Sequence, residues 1–209
     1  MSATNELRTS AGILRITAML VLGWLALAGS AAAQIPAIDL SIGPRAGYFL
    51  PLGIIAKDAA DRETTLSTGL GIGATIEVDL PASPIDLRAT VDATFGRALE
   101  LNEIEINGTN VDLLVLAADL VFRPLPRLVV AQPYLLAGAG IKRYSSDNTF
   151  DDTTDFTGHL GAGADMNLGR VTVLVEVSDY ISGFQATQGD DTRLQNDVFV
   201  MVGFQLKLL

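Results

Sequence analysis

The 209-residue sequence contains no cysteine, only one histidine and few aromatic residues, which make up 6% of the chain. Without cysteine there is no disulfide framework, so the fold must be stabilised by hydrogen bonding and burial alone. The scarcity of aromatic side chains means that any aromatic belt at a membrane surface is thin. The only tryptophan, Trp24, lies in the N-terminal apolar segment.

Basic residues are also scarce. The chain has 14 lysines and arginines against 24 aspartates and glutamates, which gives a formal net charge of −10. A nucleic acid backbone is bound by clustered lysine and arginine, so this balance argues against a nucleic acid partner. The glycine pairs at 71/73 and 161/163 fall inside predicted strands with no helix to receive a phosphate, so they do not predict a nucleotide site. We expect no cofactor.

The N-terminus has the three parts of an export signal. Arg8 and Arg15 precede an apolar run from Ile16 to Ala28, and small residues ending in Ala31-x-Ala33 follow it. The apolar run is shorter than the roughly 20 residues that a membrane-spanning helix needs. We therefore predict a cleaved signal peptide over residues 1–33 and one β-barrel domain over residues 34–209. The alternative is an uncleaved anchor.

The remaining chain divides into eight segments of alternating hydrophobicity. The gaps between them are long at 51–68, 97–110, 145–154 and 181–196, and short at 81–84, 124–127 and 169–170. Short turns on one side and long loops on the other are typical of outer-membrane barrels. The predicted strands are Asp39–Leu50, Gly69–Leu80, Ile85–Gly96, Val111–Arg123, Leu128–Tyr144, Asp155–Leu168, Val171–Tyr180 and Asp197–Leu209.

Each segment presents one apolar and one polar face, because side chains alternate between the two faces of a strand. Such a barrel is either soluble with an apolar interior or inverted for a membrane. Many glycines share the polar face with the charged residues, and small residues beside a few large ones suit the narrow interior of an eight-stranded barrel. We therefore place the polar face inside. Pro44 weakens the first strand or marks a bulge, whereas Pro133 lies near a strand start, where proline is tolerated.

The polar face carries charges of both signs, and charges enclosed in a barrel need partners. We predict an interior network of ion pairs with Arg45 and Arg88 at its centres, because a guanidinium can bridge several carboxylates. A carboxylate such as Asp165 or Glu176 is the expected partner of His159. The predicted members are Arg45, Glu77, Asp86, Arg88, Asp92, Asp119, His159, Asp165, Glu176 and Lys207.

Three stretches resemble small outer-membrane barrels. The last six residues before Leu209 resemble the C-terminal assembly signal of outer-membrane proteins, with Gly203 followed by Leu206 and Leu208. Residues 132–140 and 159–165 resemble the fifth and sixth strands of barrels similar to the OmpA transmembrane domain. The resemblance implies a location in a bacterial outer membrane, with membrane lipids and the assembly machinery as partners. It implies no particular function, because the members include adhesins, stress-response barrels and lipid-modifying enzymes.

Two groups of residues suggest chemistry. His159 faces the predicted interior near the loop-side rim, but Gly161 stands where a deacylase-type barrel is expected to carry its serine. Asp147, Asp151, Asp152 and Asp155 fall around the third long loop, and spaced carboxylates suit calcium. That loop lacks the glycine turn and closing glutamate of an EF-hand, so we expect an acidic, solvated loop and no catalytic or metal-binding residues.

The sequence thus predicts an all-β, eight-stranded antiparallel up-and-down transmembrane β-barrel with a structural or surface-interaction role, without a pore or catalysis. A barrel enzyme that modifies membrane lipid through His159, and a soluble periplasmic barrel that binds an apolar ligand, remain alternatives. No polar residue marks a subunit contact on the outward faces, so the oligomeric state stays open. The aromatic girdles are expected from Tyr48, Phe95, Phe122 and Tyr134.

Overall fold

The structure is a computed structural model that describes residues 38–53, 56–57, 63–80, 83–101, 104–125, 131–146, 152–184 and 193–208. The predicted signal segment 1–33, residues 128–130 and Leu209 lie outside this part. No helix among the described residues is long and apolar enough to cross a membrane. The strands are β1 Asp39–Pro51, β2 Ala56–Lys57, β3 Glu63–Leu66, β4 Gly69–Asp79, β5 Ile85–Leu101, β6 Ile104–Phe122, β7 Ala131–Ser146, β8 Thr153–Leu168, β9 Val171–Phe184 and β10 Arg193–Lys207.

Eight of these strands close into a barrel. The order β5-β4-β1-β10-β9-β8-β7-β6 is completed by pairing between β5 and β6, and every neighbouring pair is antiparallel. The short strands β2 and β3 extend the sheet beside the upper part of β5. The predicted fold class, an eight-stranded antiparallel up-and-down barrel, is confirmed.

The register fixes the inclination of the strands. Following paired residues once around the barrel from Leu50 leads back to β1 at Leu40, ten residues away. With about 3.3 Å per residue and about 4.8 Å between strands, this stagger gives a tilt of about 41°. Ten residues then rise about 25 Å along the barrel axis, which matches the apolar band of outer-membrane barrels.

The sequence misjudged two of the long loops. The predicted loop 97–110 is mostly strand, because β5 continues to Leu101 and β6 begins at Ile104. Irregular pairing between Thr94 and Leu99, with Gly96 at a φ of 63°, bends this hairpin where the predicted strand ended. The predicted loop 51–68 contains β2 and β3. Hydrophobic burial explains both extensions, since Leu66 and Leu99 are 2% and 4% exposed.

The two faces of the barrel are as the alternation predicts. On β8, for example, Phe156 and Leu160 are 74% and 54% exposed, whereas Thr157 and His159 are fully buried between them. On β10, Val202 and Phe204 point outward and Met201 points inward. An apolar exterior around a charged interior is the inverse of a soluble ligand-binding barrel.

Pro44 neither ends β1 nor causes a bulge. Its pairing with β4 is continuous, and the register with β10 is the same at Ile42 and Arg45, on either side of it. Pairing with β10 is interrupted only at Gly43 and Pro44, since proline has no N–H to donate. Pro133 is the third residue of β7, near the strand start as predicted.

One predicted girdle residue is wrong. Tyr48, Phe95 and Phe122 are exposed on the outer face, but Tyr134 is only 2% exposed. It shares the inward face of β7 with Gln132, and its hydroxyl donates a hydrogen bond to Glu176 inside the barrel.

The outer face carries a charged residue that contradicts the expectation of purely apolar outward faces. Asp179 alternates with the inward Ser178 and Tyr180 and stands between Val177 and Ile181 on the outside of β9. Its Oδ1 is covered and has no hydrogen-bond partner in the described part of the chain. By the stagger of the barrel, Asp179 lies roughly 6 Å below the level of Leu50, inside the apolar band.

A carboxyl group at this position costs free energy that an aliphatic side chain does not. We expect Asp179→Val to raise the free energy of unfolding by about 1 kcal/mol, measured by urea titration of protein refolded into lipid vesicles. Asp179→Asn, which keeps a polar group of the same size, is the control, and its free energy of unfolding should rise less. Lower stability of the valine variant would indicate that the hydrogen bond between the Asp197 backbone and this carboxyl group outweighs the cost of placing the carboxyl group there.

Candidate functional site

The interior of the barrel is filled by side chains, and its turn-side half is a network of ion pairs. Nine of the ten residues that the sequence assigned to the interior are at most 3% exposed. They are Arg45, Glu77, Asp86, Arg88, Asp92, Asp119, His159, Asp165 and Glu176.

Glu176 links the two arginines that the sequence singled out. Its Oε1 accepts a hydrogen bond from Arg45 Nη1 at 2.6 Å, and its Oε2 accepts one from Arg88 Nη1 at 2.5 Å. Arg45 also binds both oxygens of Asp92, with its Nε 2.7 Å from Oδ1. Arg88 Nε donates to Glu77 Oε2 at 2.7 Å. Each of these arginines therefore bridges two carboxylates.

A third arginine, Arg123, bridges three carboxylates and was missed. Its Nη1 lies 2.6 Å from Asp86 Oδ2, and its Nη2 lies 2.6 Å from both Glu77 Oε1 and Asp165 Oδ2. The alternation along β6 already places Arg123 on the same face as Asp119. From Val111 to Ala117 the residues on that face are apolar, so the strand as a whole does not indicate a charged interior in which Arg123 would take part.

Lys207 is not part of this buried network. Its side chain is 33% exposed, and its Nζ lies 4.0 Å from Asp39 Oδ2. The reason is its place at the end of β10, where the strand reaches the turn-side mouth of the barrel and water competes for the ammonium group. Of the predicted assembly signal, Gly203 faces inward beside Arg45, whereas Leu206 and Leu208 are about half exposed on the outer face.

Glycines create the space in which these pairs form. In the register, Gly73 stands between Arg45 and Asp92, and Gly138 stands between Asp119 and His159. A Cβ atom on Gly73 would collide with Asp92 Oδ1, and one on Gly138 would collide with Asp119 Oδ1. Gly163 likewise separates Tyr134 from Glu176. Side chains that are two strands apart are therefore in direct contact, because the residue between them is a glycine without a side chain.

His159 is enclosed by this arrangement. Its Nδ1 lies 2.6 Å from Asp119 Oδ1, and its ring stacks on Tyr180 with centroids 4.0 Å apart. The predicted partners Asp165 and Glu176 are not its partners, because Gly138 brings Asp119 within reach first. The expected position near the loop-side rim is also wrong, since the side chain is fully buried at mid-barrel. No hydroxyl group of the described residues bonds to its Nε2.

The loop-side half of the interior is packed differently. An apolar cluster fills it, with Phe49 and Phe199 at a centroid distance of 5.1 Å and Tyr180 against Phe199. A separate ion pair, which the sequence analysis did not predict, lies within this apolar cluster. Lys142 Nζ lies 2.6 Å from Asp197 Oδ2, and the Tyr144 hydroxyl donates a hydrogen bond to the same carboxylate. Among the described residues, the interior therefore has an apolar layer on the loop side and a charged layer on the turn side.

A surface ion pair joins the described residues on either side of the acidic third loop. Arg143 Nη2 lies 2.7 Å from Asp152 Oδ2, and Ser145 donates to Asp152 Oδ1. These hydrogen bonds, with that from Arg143 the stronger, lower the pKa of Asp152 below its ordinary value. Asp147 and Asp151, which the sequence places in the same acidic loop, lie outside the described residues.

The three contacts of Arg123 make it the most consequential single cation to remove. We expect Arg123→Gln to lower the free energy of unfolding by about 3–5 kcal/mol, because buried carboxylates are left without their counter-charge. Arg143→Gln, which breaks only an exposed pair, should change it by about 0–1 kcal/mol. Urea titrations of both variants in detergent micelles measure the difference, and equal effects would contradict the enclosed network.

The spacing role of Gly138 can be tested with one methyl group. We expect Gly138→Ala to destabilise the barrel by about 1–3 kcal/mol, because the added Cβ displaces Asp119 from His159. Gly158→Ala is the matched control, since a Cβ there meets only Ile181 O at 3.8 Å. It should change stability by about 0.5 kcal/mol or less in the same urea titration. Equal tolerance of both substitutions would contradict the role of Gly138.

No protein family profile and no curated protein matches this chain. Its fold does match solved structures. Neisserial surface protein A (NspA) is 15% identical with a TM-score of 0.53, over 83% of this chain and 100% of that chain. A major outer membrane protein from Thermus thermophilus is 13% identical with a TM-score of 0.57, over 83% and 100%. The outer membrane protein AlkL is 13% identical with a TM-score of 0.52, over 85% and 94%. The chain therefore has the fold of small outer-membrane β-barrels.

Proposed function

We propose that this protein is an integral outer-membrane barrel of a bacterium, with a structural or surface-interaction role and without a pore or catalysis. One observation carries the proposal: a closed barrel with an apolar exterior has its lumen blocked by ion pairs and an aromatic cluster. The exterior suits membrane lipids as neighbours, and closure leaves no open sheet edge within the bilayer. Contacts with other molecules then fall to the loops.

The arrangement of the lumen supports the absence of a pore. An eight-stranded barrel has room only for its own side chains. Here Arg45, Arg88 and Arg123 reach across the lumen to carboxylates on other strands. Water and ions therefore have no continuous path through the described part.

The enzyme alternative requires a nucleophile beside His159 and access for a lipid. His159 is fully buried, and its imidazole packs beneath Tyr180 and the apolar cluster that contains Phe199. A lipid ester cannot reach its ring without unfolding this layer. The soluble alternative requires an apolar lumen, which the buried ion pairs oppose. Both are kept as outcomes of the experiments below.

The membrane proposal predicts heat-dependent mobility in gel electrophoresis. Protein refolded into detergent micelles should give a β-type circular dichroism spectrum and migrate differently before and after boiling, because closed barrels resist detergent until heated. In planar bilayers it should show no conductance steps. Solubility without detergent and unchanged mobility would contradict the membrane barrel, and steady conductance steps would contradict the sealed lumen. Release of fatty acid from lipid vesicles, lost in His159→Asn, would favour the enzyme.

A further inference from the structure

One carboxyl group and one phenol hydroxyl stand on the outer face of the barrel at nearly the same depth. Asp179 projects outward from β9, and Tyr48, which is 61% exposed, projects outward from β1. By the register and the tilt of the strands, Tyr48 lies about 5 Å below the level of Leu50, and Asp179 lies about 6 Å below it. Both groups are therefore inside the apolar band, where little water is available to hydrogen-bond with them.

Neither group is fully satisfied by its own chain. The Asp179 carboxyl group receives a hydrogen bond from the Asp197 backbone, but its Oδ1 has no partner among the described residues. None of the described residues bonds to the Tyr48 hydroxyl either. An ionisable side chain on a lipid-facing surface is costly and marks a contact, and a carboxyl oxygen accepts the hydrogen bond that a phenol donates.

The strand between them keeps the two groups apart within one barrel. Tyr48 is paired with Val200 on β10, and Asp179 is paired with Val198 on the same strand. This register separates Tyr48 from Asp179 by about 11 Å around the circumference of the barrel. The two valines face outward in the space between them.

A second copy of the chain brings the two groups together. The point midway between Tyr48 and Asp179 falls on β10, between its two outward valines. A two-fold axis along the membrane normal at this point places Tyr48 of one copy opposite Asp179 of the other at the same depth, and the reverse contact follows by symmetry. The surfaces of two barrels curve apart on either side of the valines, and the long side chain of tyrosine spans that gap.

We propose that this protein forms a two-fold symmetric dimer in the membrane through the outer faces of β9, β10 and β1. In this dimer each Tyr48 hydroxyl donates a hydrogen bond to the carboxyl group of Asp179 of the partner subunit, and the valines of β10 pack against their counterparts. The inference rests on the proposed function, because the two barrels must lie side by side in one membrane. It explains why an ionisable side chain occupies a position where it costs a single barrel free energy.

The chain has no cysteine, so one introduced thiol reports on the interface. Val200→Cys places a thiol beside the two-fold axis, and Ala118→Cys places one on the outer face of β6, on the opposite side of the barrel. In vesicles of phosphatidylcholine, a short bismaleimide should link two copies of the Val200→Cys protein. The Ala118→Cys protein should give only the low yield of random collisions. The linked fraction of Val200→Cys should fall as the ratio of protein to lipid is lowered.

Substitutions in the Val200→Cys protein test the hydrogen bonds. The dimerisation constant follows from the dependence of the linked fraction on the ratio of protein to lipid. Tyr48→Phe removes only the hydroxyl and should lower this constant about fivefold to tenfold, because the dimer loses both hydrogen bonds. Asp179→Val should lower it at least as much, whereas Asp179→Asn keeps an acceptor oxygen and should lower it less. Phe95→Leu, which changes an outward aromatic residue on β5, is the matched control and should leave it unchanged.

The possible outcomes separate the dimer from the membrane barrel itself. Absence of the mobility shift on boiling would contradict the proposed function and the dimer with it. With the shift retained, the dimer is overturned if Val200→Cys and Ala118→Cys are linked equally, or if neither Tyr48→Phe nor Asp179→Val lowers the dimerisation constant. The cost of Asp179 to a single barrel is measured at high lipid dilution, where the dimer dissociates.

Discussion

Closure of the backbone hydrogen-bond ladder is the constraint on which the rest of this structure depends. In an apolar medium every N–H and C=O group must be paired within the protein, so no sheet edge can remain open. Pairing of β5 with β6 meets that requirement. Eight strands with a stagger of ten residues then enclose a narrow lumen, and the inward side chains have to fill it.

A narrow lumen explains why glycines and arginines occur together on the inward face. A guanidinium that reaches across the barrel needs both a carboxylate and room to lie beside the backbone. Gly73 and Gly138 provide that room between partners two strands apart. Buried ion pairs are weak evidence for stability, because the cost of removing their hydration offsets the attraction. Their larger effect here is on register, since a slip of one residue in β8 would turn His159 and Asp165 towards lipid.

The alternation of the sequence predicts which side chains face inward, but it does not predict which of them meet. His159 and Asp119 share the interior in any register, yet their contact depends on the stagger that places Gly138 between them. Arg123 was missed because its strand reads as apolar on the inward side from Val111 to Ala117. Tyr134 was assigned to the outer girdle because it is aromatic. Its position two residues after Gln132 places both side chains on the inward face of β7. The extensions of β5 and β6 beyond the membrane-spanning part were not predicted, because each loop was taken to begin where the alternation of apolar and polar residues ends.

The interior is divided into two layers with different physical roles. The apolar layer around Phe49 and Phe199 excludes water from the loop side, and this raises the strength of every charge interaction beneath it. The charged layer fixes the register of the strands and borders a cavity at the turn-side mouth, at Glu77 and Asp165. The loop-side half is not free of buried charge, because the Lys142–Asp197 ion pair is embedded in its apolar layer and is cut off from the water at that mouth.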